Sequence, residues 1–157
     1  MNALKVFLFA LVVSFSAPVF AQTSASTNLE IVRQKVKADK KLVVAANMNL
    51  SDAEAKAFWP VYDAFQADLD LVNRRLGSLI RSYADAYNKG NISAEVSRKL
   101  IAESLAIEEA ETKLKRSYVP KLEKVLSATK VARYLQIESQ IRTIIRYEIA
   151  AEIPLIY

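Results

Sequence analysis

The chain has 157 residues, with 22 Lys and Arg against 17 Asp and Glu, and it contains neither cysteine nor histidine. Packing alone must therefore hold the fold, and the commonest general base and commonest transition-metal ligand are missing. These absences disfavour most enzymes and metal sensors. The net charge of +5 is modest and the charged residues are interleaved, so we expect no nucleic-acid partner.

Residues 1–21 have the pattern of a cleaved secretory signal peptide. Lys5 provides a positive start, residues 6–15 form an apolar run, and Val19-Phe20-Ala21 ends on a small residue. The run is too short to span a bilayer as a helix, and no later stretch is free of charge for about 20 residues. We therefore expect export to the periplasm and no integral membrane segment after cleavage.

The longest helical pattern runs from Leu50 to Tyr87, where apolar residues recur every three or four positions. Ser51 and Glu54 form a capping box at its start, and Gly90 suits a left-handed stop after its end. A helix of this length spans roughly 50 Å, so it predicts an elongated domain. Its predicted buried face comprises Phe58, Val61, Phe65, Leu69, Val72, Leu76, Leu79 or Ile80, Tyr83 and Tyr87.

Three more helices are predicted around this one. The first runs from Thr27 or Asn28 to about Ala46, the third starts after Ser93, and the fourth starts after Ser127. Their predicted buried positions are Leu29, Val32, Val36, Val43 and Val44 in the first, Val96, Leu100, Ile107, Leu114, Tyr118, Leu122 and Val125 in the third, and Val131, Tyr134, Leu135, Ile137, Ile141, Ile144 and Ile145 in the fourth. The fold class is thus all-α, a bent helical hairpin with two flanking helices. It forms one domain over 28–157 after a disordered lead at 22–27.

Two prolines lie at matching heights of the predicted hairpin. Pro60 and Pro120 are each thirty positions from Gly90, and each removes one backbone N–H and crowds the preceding turn. If the two long helices fold back at Gly90, residues whose numbers sum to about 180 face each other, as Phe58 and Leu122 do. The kinks would then coincide, and the hairpin would bend as a unit.

A candidate surface for clients or partners combines aromatic side chains near this bend with basic side chains of the first and second helices. The aromatic members either line an open concave face or fill the space that the kinks create, and the basic ones either attract clients or form a solvated helix side. The candidates are Trp59, Tyr62, Lys37, Lys40, Lys41, Arg74, Arg75 and Arg81.

The acidic run Glu108, Glu109 and Glu111 could in principle supply paired catalytic carboxylates. Lys113 and Lys115 follow two of these acids by four positions, which favours a solvated, salt-bridged helix face. We therefore predict no enzyme activity, and we assign no catalytic, cofactor-binding or metal site.

Two similar turns open the second and fourth helices: Leu50-Ser51-Asp52-Ala53-Glu54 and Leu126-Ser127-Ala128-Thr129-Lys130. They resemble the repeated motif of the LTxxQ family, the Spy/CpxP-like periplasmic proteins. The resemblance implies a four-helical cradle, often dimeric, that binds unfolded proteins without ATP or damps an envelope-stress sensor. The partners would be protein clients and a second copy of the chain. The alternative function is a structural or assembly subunit that binds one dedicated protein partner.

Glu54 and Lys130 occupy the positions of the family's glutamines. Because the hairpin brings both turns to one end, these residues either form a cross-helix ion pair or remain two independent surface residues. Residues 153–157 are apolar after the stop at Pro154. We expect this segment to dock on the domain, with contact to a partner as the alternative.

Overall fold

The computed structural model describes residues 39–156. All of these residues except Asp39 belong to one compact unit, Lys40–Tyr157. The predicted signal peptide, the lead at 22–27, Lys37 and the first apolar positions of the first helix lie outside the described residues.

Four helices account for most of the described chain. Helix α1 covers residues 39–48, α2 covers Asp52–Asn88, α3 covers Ala94–Glu123 and α4 covers Ala128–Glu152. The residues that the structure describes contain no strand, so the all-α prediction is confirmed. With 37 residues, α2 is about 55 Å long at 1.5 Å per residue.

Serine caps start the three longer helices, as predicted. The Ser51 hydroxyl accepts from the Glu54 amide, and the Ser51 amide donates to the Glu54 carboxylate at 2.8 Å, which completes the capping box. Ser93 and Ser127 accept from the amides three residues further on. Gly90 has a φ of 61°, the left-handed conformation expected after α2.

The antiparallel register of α2 and α3 matches the prediction. Arg75 and Glu103 are hydrogen-bonded, and the rings of Phe65 and Tyr118 lie 5.2 Å apart. Their residue numbers sum to 178 and 183, close to the predicted 180. Both α2 and α3 continue through their prolines, Pro60 and Pro120, and the shared bend stays a prediction.

The closed core lies at one end of the helical bundle, which we call the proximal end, where Leu50 and Leu126 open α2 and α4. Both leucines pack into this core, Leu126 fully buried and Leu50 half-buried. The other members of the core are Val44, Met48, Phe58, Tyr62, Phe65, Leu69, Tyr118, Leu122, Val131, Tyr134 and Ile137.

The other end of the bundle, which we call the distal end, lies around Gly90 and is open. Beyond Val72 in α2, before Ile107 in α3 and after Glu138 in α4, none of the described residues is fully buried. The apolar positions predicted for this end are therefore only half-covered or exposed.

Three predicted core positions are wrong. Val43 is exposed because it neighbours Val44, and a helix rotates by about 100° per residue, so both cannot face the same core. Ile144 and Ile145 are also exposed, since they lie in the distal half of α4, beyond the last buried residue of that helix.

Candidate binding site at the distal end of the bundle

The two motif turns meet through an ion pair at the proximal end. The Lys130 ammonium lies 2.6 Å from the Glu54 carboxylate and also donates to the Asn49 carbonyl at 3.0 Å. The hydrogen bond from Lys130, followed by that from the Ser51 amide, lowers the pKa of Glu54 to about 2. The predicted cross-helix ion pair is confirmed, and its role is to join the starts of α2 and α4.

A buried carboxylate holds α1 against α4. The Glu138 side chain is 3% exposed and lies 2.6 Å from the Lys40 ammonium, and it accepts from the Gln66 amide at 2.9 Å. Gln66 also donates to the Tyr134 hydroxyl at 3.3 Å. Burial, and then the negative charge of Glu138, raise the pKa of Tyr134.

The prediction that Lys40 belongs to the client surface is therefore wrong. Its side chain is only 13% exposed and its charge is neutralised inside the bundle. The basic run at 35–41 suggested a solvated or client-facing stripe, but a lysine four carbons long can reach an acid on a neighbouring helix.

A second buried carboxylate lies where the closed core stops. The Glu111 side chain is 5% exposed and accepts from Arg142 at 2.6 Å, from Lys115 at 2.7 Å and from Arg146 at 3.0 Å. Arg142 also donates to the Asn73 side chain, so it connects α4 with both α2 and α3. Burial acts to raise the pKa of Glu111, but the hydrogen bond from Lys115 and the charge of Arg142 outweigh burial and lower it.

The interpretation of the acidic run as a solvated face is therefore wrong for Glu111, although its predicted pair with Lys115 exists. The sequence offered a usable signal. Arg142 and Arg146 are four apart and share one helix face. Folding α4 back on α3 at Leu126, as α3 folds back on α2 at Gly90, would have placed that face opposite Glu111.

The aromatic residues near Pro60 belong to the core rather than to an open face. Tyr62 is 3% exposed, and its ring lies 5.3 Å from Trp59 and 6.0 Å from Tyr134. Trp59 is half-buried, with the Lys41 ammonium 5.0 Å above its ring. Tyr62 therefore fills space in the core, as one of the two alternatives predicted, and its prediction as a surface residue is wrong.

The other basic candidates are engaged by nearby acceptors. Lys41 lies 2.7 Å from Asp63, and Arg74 lies 2.7 Å from Asp70. Arg75 donates to both carboxylate oxygens of Glu103, at 3.0 and 3.2 Å. Arg81 donates to the Ser78 hydroxyl at 3.0 Å. These side chains are exposed, but the charges of the first three are balanced by acids.

Apolar grooves instead occupy the open distal end. The first, which we call the distal groove, has a volume of about 340 Å³. It is lined by α2, α3, the end of α4 and the segment after α4, through Leu76, Leu79, Ile80, Tyr83, Ser97, Leu100, Ile101, Ser104, Ile149, Ile153 and Ile156. A second groove of about 790 Å³ shares Leu79 and Leu100 with it and has a polar rim that includes Arg75 and Glu103.

The segment after α4, residues 153–156, lies against this end of the bundle. The Tyr83 hydroxyl donates to the Pro154 carbonyl at 2.6 Å, and Ile153 is half-buried. The predicted docking is thus confirmed at Pro154, whereas Leu155 remains 79% exposed.

Within residues 39–156, no cluster of three or more acidic side chains is arranged to hold a metal ion. In the same part of the chain, no helix combines the length and the apolar character that crossing a bilayer requires.

The chain gives no match to models of known protein families, to curated proteins or to solved structures. The resemblance to the LTxxQ family therefore stays a prediction that rests on the two motif turns, on the predicted export and on the helical layout.

Proposed function

We propose that this chain is an exported, periplasmic protein that binds unfolded segments of other proteins without ATP. It would act as a chaperone or envelope-stress adaptor of the Spy/CpxP-like kind. The observation that carries the proposal is the open distal end of the bundle, where long helices leave their apolar faces uncovered. Exposed apolar surface of this kind marks interaction sites in soluble proteins.

The closed proximal core makes such exposure tolerable. Aromatic packing among Phe58, Tyr62, Phe65 and Tyr134, together with the buried Glu138 contacts, holds the helices without help from the distal end. The distal side chains are thus free to contact other molecules, because the fold does not depend on covering them. Two examples are Ile101 in the distal groove and Leu71 in the second groove, at 60% and 54% exposure.

In the proposed binding, burial of apolar surface contributes more than electrostatic attraction does. Arg75 lies on the rim of the second groove and pairs with Glu103 on the same rim. The other two cations that line this groove, Arg74 and Lys99, are each paired with an acid four residues before them. A client would therefore be held by burial of its apolar side chains in the grooves, and no ATP or metal chemistry is needed for this step.

The contiguity of the two grooves favours a second candidate function, an assembly subunit with one dedicated partner. Leu79 and Leu100 border both grooves, so the apolar surface is continuous across the α2–α3 hairpin. Dedicated partners bury one continuous patch with a few dominant anchors. The two functions differ in breadth, since a chaperone accepts many unrelated unfolded chains.

An aggregation-suppression assay tests the proposal. Residues 22–157 are mixed with chemically denatured test proteins of unrelated sequence, and light scattering is followed after dilution. We expect suppression for several clients, and we expect Leu71→Asp with Ile101→Asp to lose most of it. Leu42→Asp is the matched control, because Leu42 is 68% exposed but lies in α1. Suppression of none of the clients would overturn the chaperone function, and unchanged suppression by the double variant would exclude the distal grooves.

A further inference from the structure

The segment after α4 has the chemistry of a client. Residues 153–156 read Ile-Pro-Leu-Ile, and Ile153 adopts an extended conformation with φ −97° and ψ 114°. An extended apolar stretch is what an unfolded protein presents to a chaperone. In this structure, the protein's own apolar segment contributes Ile153 and Ile156 to the distal groove.

One polar contact of this segment is made by its backbone rather than by a side chain. The Tyr83 hydroxyl donates to the Pro154 carbonyl at 2.6 Å, and a carbonyl acceptor is present at every residue of any polypeptide. Apolar pockets combined with a hydrogen bond to backbone are a recurrent mode of peptide recognition. The groove is thus equipped to hold an extended apolar segment with little dependence on its sequence.

The segment can leave without loss of the fold. Leu155 and Ile156 are 79% and 51% exposed, so few of its apolar groups are committed to the groove. The body of α4 is anchored separately, by Arg142 on Glu111 and by Glu138 on Lys40. Detachment of residues 153–156 therefore leaves both of these contacts of α4 intact.

We propose that residues 153–156 are an intramolecular occupant of the distal groove, which an extended apolar segment of an unfolded client displaces. This inference rests on the proposed function and names what the groove binds. The displacing segment takes the places of Ile153 and Ile156 and the hydrogen bond from Tyr83. The tethered segment lowers the apparent affinity for clients in proportion to the fraction of time it fills the groove.

Fluorescence anisotropy with a labelled peptide of sequence EIPLIY tests the inference. A tether gives a local concentration in the millimolar range, so removal of residues 153–157 should tighten peptide binding by about tenfold relative to residues 22–157. In the shortened chain, Tyr83→Phe should weaken binding by about fivefold, because one hydrogen bond to the peptide backbone is lost. Equal affinity for the shortened and longer chains, or no binding to the shortened chain, overturns the inference.

A matched pair of variants locates the peptide. Ile101 and Leu105 both lie on α3, with 60% and 61% exposure, but only Ile101 lines the distal groove. In the shortened chain, Ile101→Asp should weaken peptide binding by at least about tenfold, because a charge would face the apolar ligand, whereas Leu105→Asp should not. Equal weakening by both variants overturns the assignment to this groove.

A full-length variant guards against misfolding of the shortened chain. Ile153→Asp with Ile156→Asp keeps the chain length and removes the apolar groups of the segment, so it should reproduce the gain in affinity. No gain in this variant overturns the inference. The aggregation assay separates the two proposals. Peptide binding without suppression in either chain rejects the chaperone function alone, and suppression without any gain on shortening rejects the intramolecular occupant alone.

Discussion

Replacing Glu111 with Gln should destabilise the fold much more than the same change at an exposed glutamate of the same acidic run. The carboxylate is buried and accepts from three cations, of which Arg142 is itself only 12% exposed. Removing one partner of a fully buried ion pair costs about 3 to 5 kcal/mol, because the remaining charge is left buried without compensation. Arg146 and Lys115 are partly exposed, and solvent screens their share. We therefore expect a loss of about 2 to 3 kcal/mol in the free energy of unfolding.

Urea unfolding followed by circular dichroism measures this loss. Glu109→Gln is the matched control, since Glu109 lies in the same acidic run but is exposed, and a surface change of this kind should stay within about 0.5 kcal/mol. The loss in Glu111→Gln should persist in 0.5 M salt, because buried pairs are screened far less than exposed ones. A loss no larger than that of the control would show that Glu111 is solvated and that its contacts to α4 contribute nothing.

Three further outcomes follow from the contacts. The pKa of Glu54 is lowered from the usual 4.5 to about 2 in the folded state, so the stability that Glu54 contributes is present above pH 4.5 and is lost as the pH falls towards about 2. The pKa of Glu111 is also lowered, so its contribution is likewise lost in acid. Acid titration of the wild type against Glu54→Gln should show a shallower loss in the variant, and parallel curves would contradict the lowered pKa of Glu54. A double-mutant cycle of Glu54→Gln and Lys130→Gln should give a coupling energy different from zero, and additive effects would mean that the ion pair is absent in solution. The rate of client association should depend only weakly on salt between about 0.05 and 0.5 M, because Arg74 and Arg75 are paired with acids. A steep fall in the stopped-flow association rate as salt rises would show instead that these charges attract clients from a distance.

The parts of the fold that the sequence predicted well are those fixed by local rules. Serine caps, the glycine stop and the three-to-four periodicity each depend on a few neighbouring residues, so Ser51, Ser93 and Ser127 were identified correctly. The register of α2 and α3 followed because one short turn at Gly90 determines it. The Glu54–Lys130 pair followed in turn, since it depends only on that register and on the two caps.

The parts that the sequence did not predict depend on how far apart the helices lie. Periodicity shows which face of a helix is apolar, but not whether another helix covers that face. Ile144 and Leu76 obey the same pattern as Leu122, yet only Leu122 is fully buried. The spacing of charges within α3 predicts a solvated Glu111, but the arginine partners that bury it come from α4.

Long charged side chains explain how the closed core and the open distal end coexist in one bundle. Helices α2 and α3 pack closely along their length, whereas α4 approaches the pair less closely. Beyond Glu138, α4 is connected to both neighbours by Arg142, which reaches Glu111 and Asn73. An arginine side chain spans a wider gap than an isoleucine does, so it can connect helices that lie further apart. Arg142 fixes α4 beside α2 and α3 at the level where the closed core ends, and beyond that level the apolar side chains that line the distal groove remain accessible.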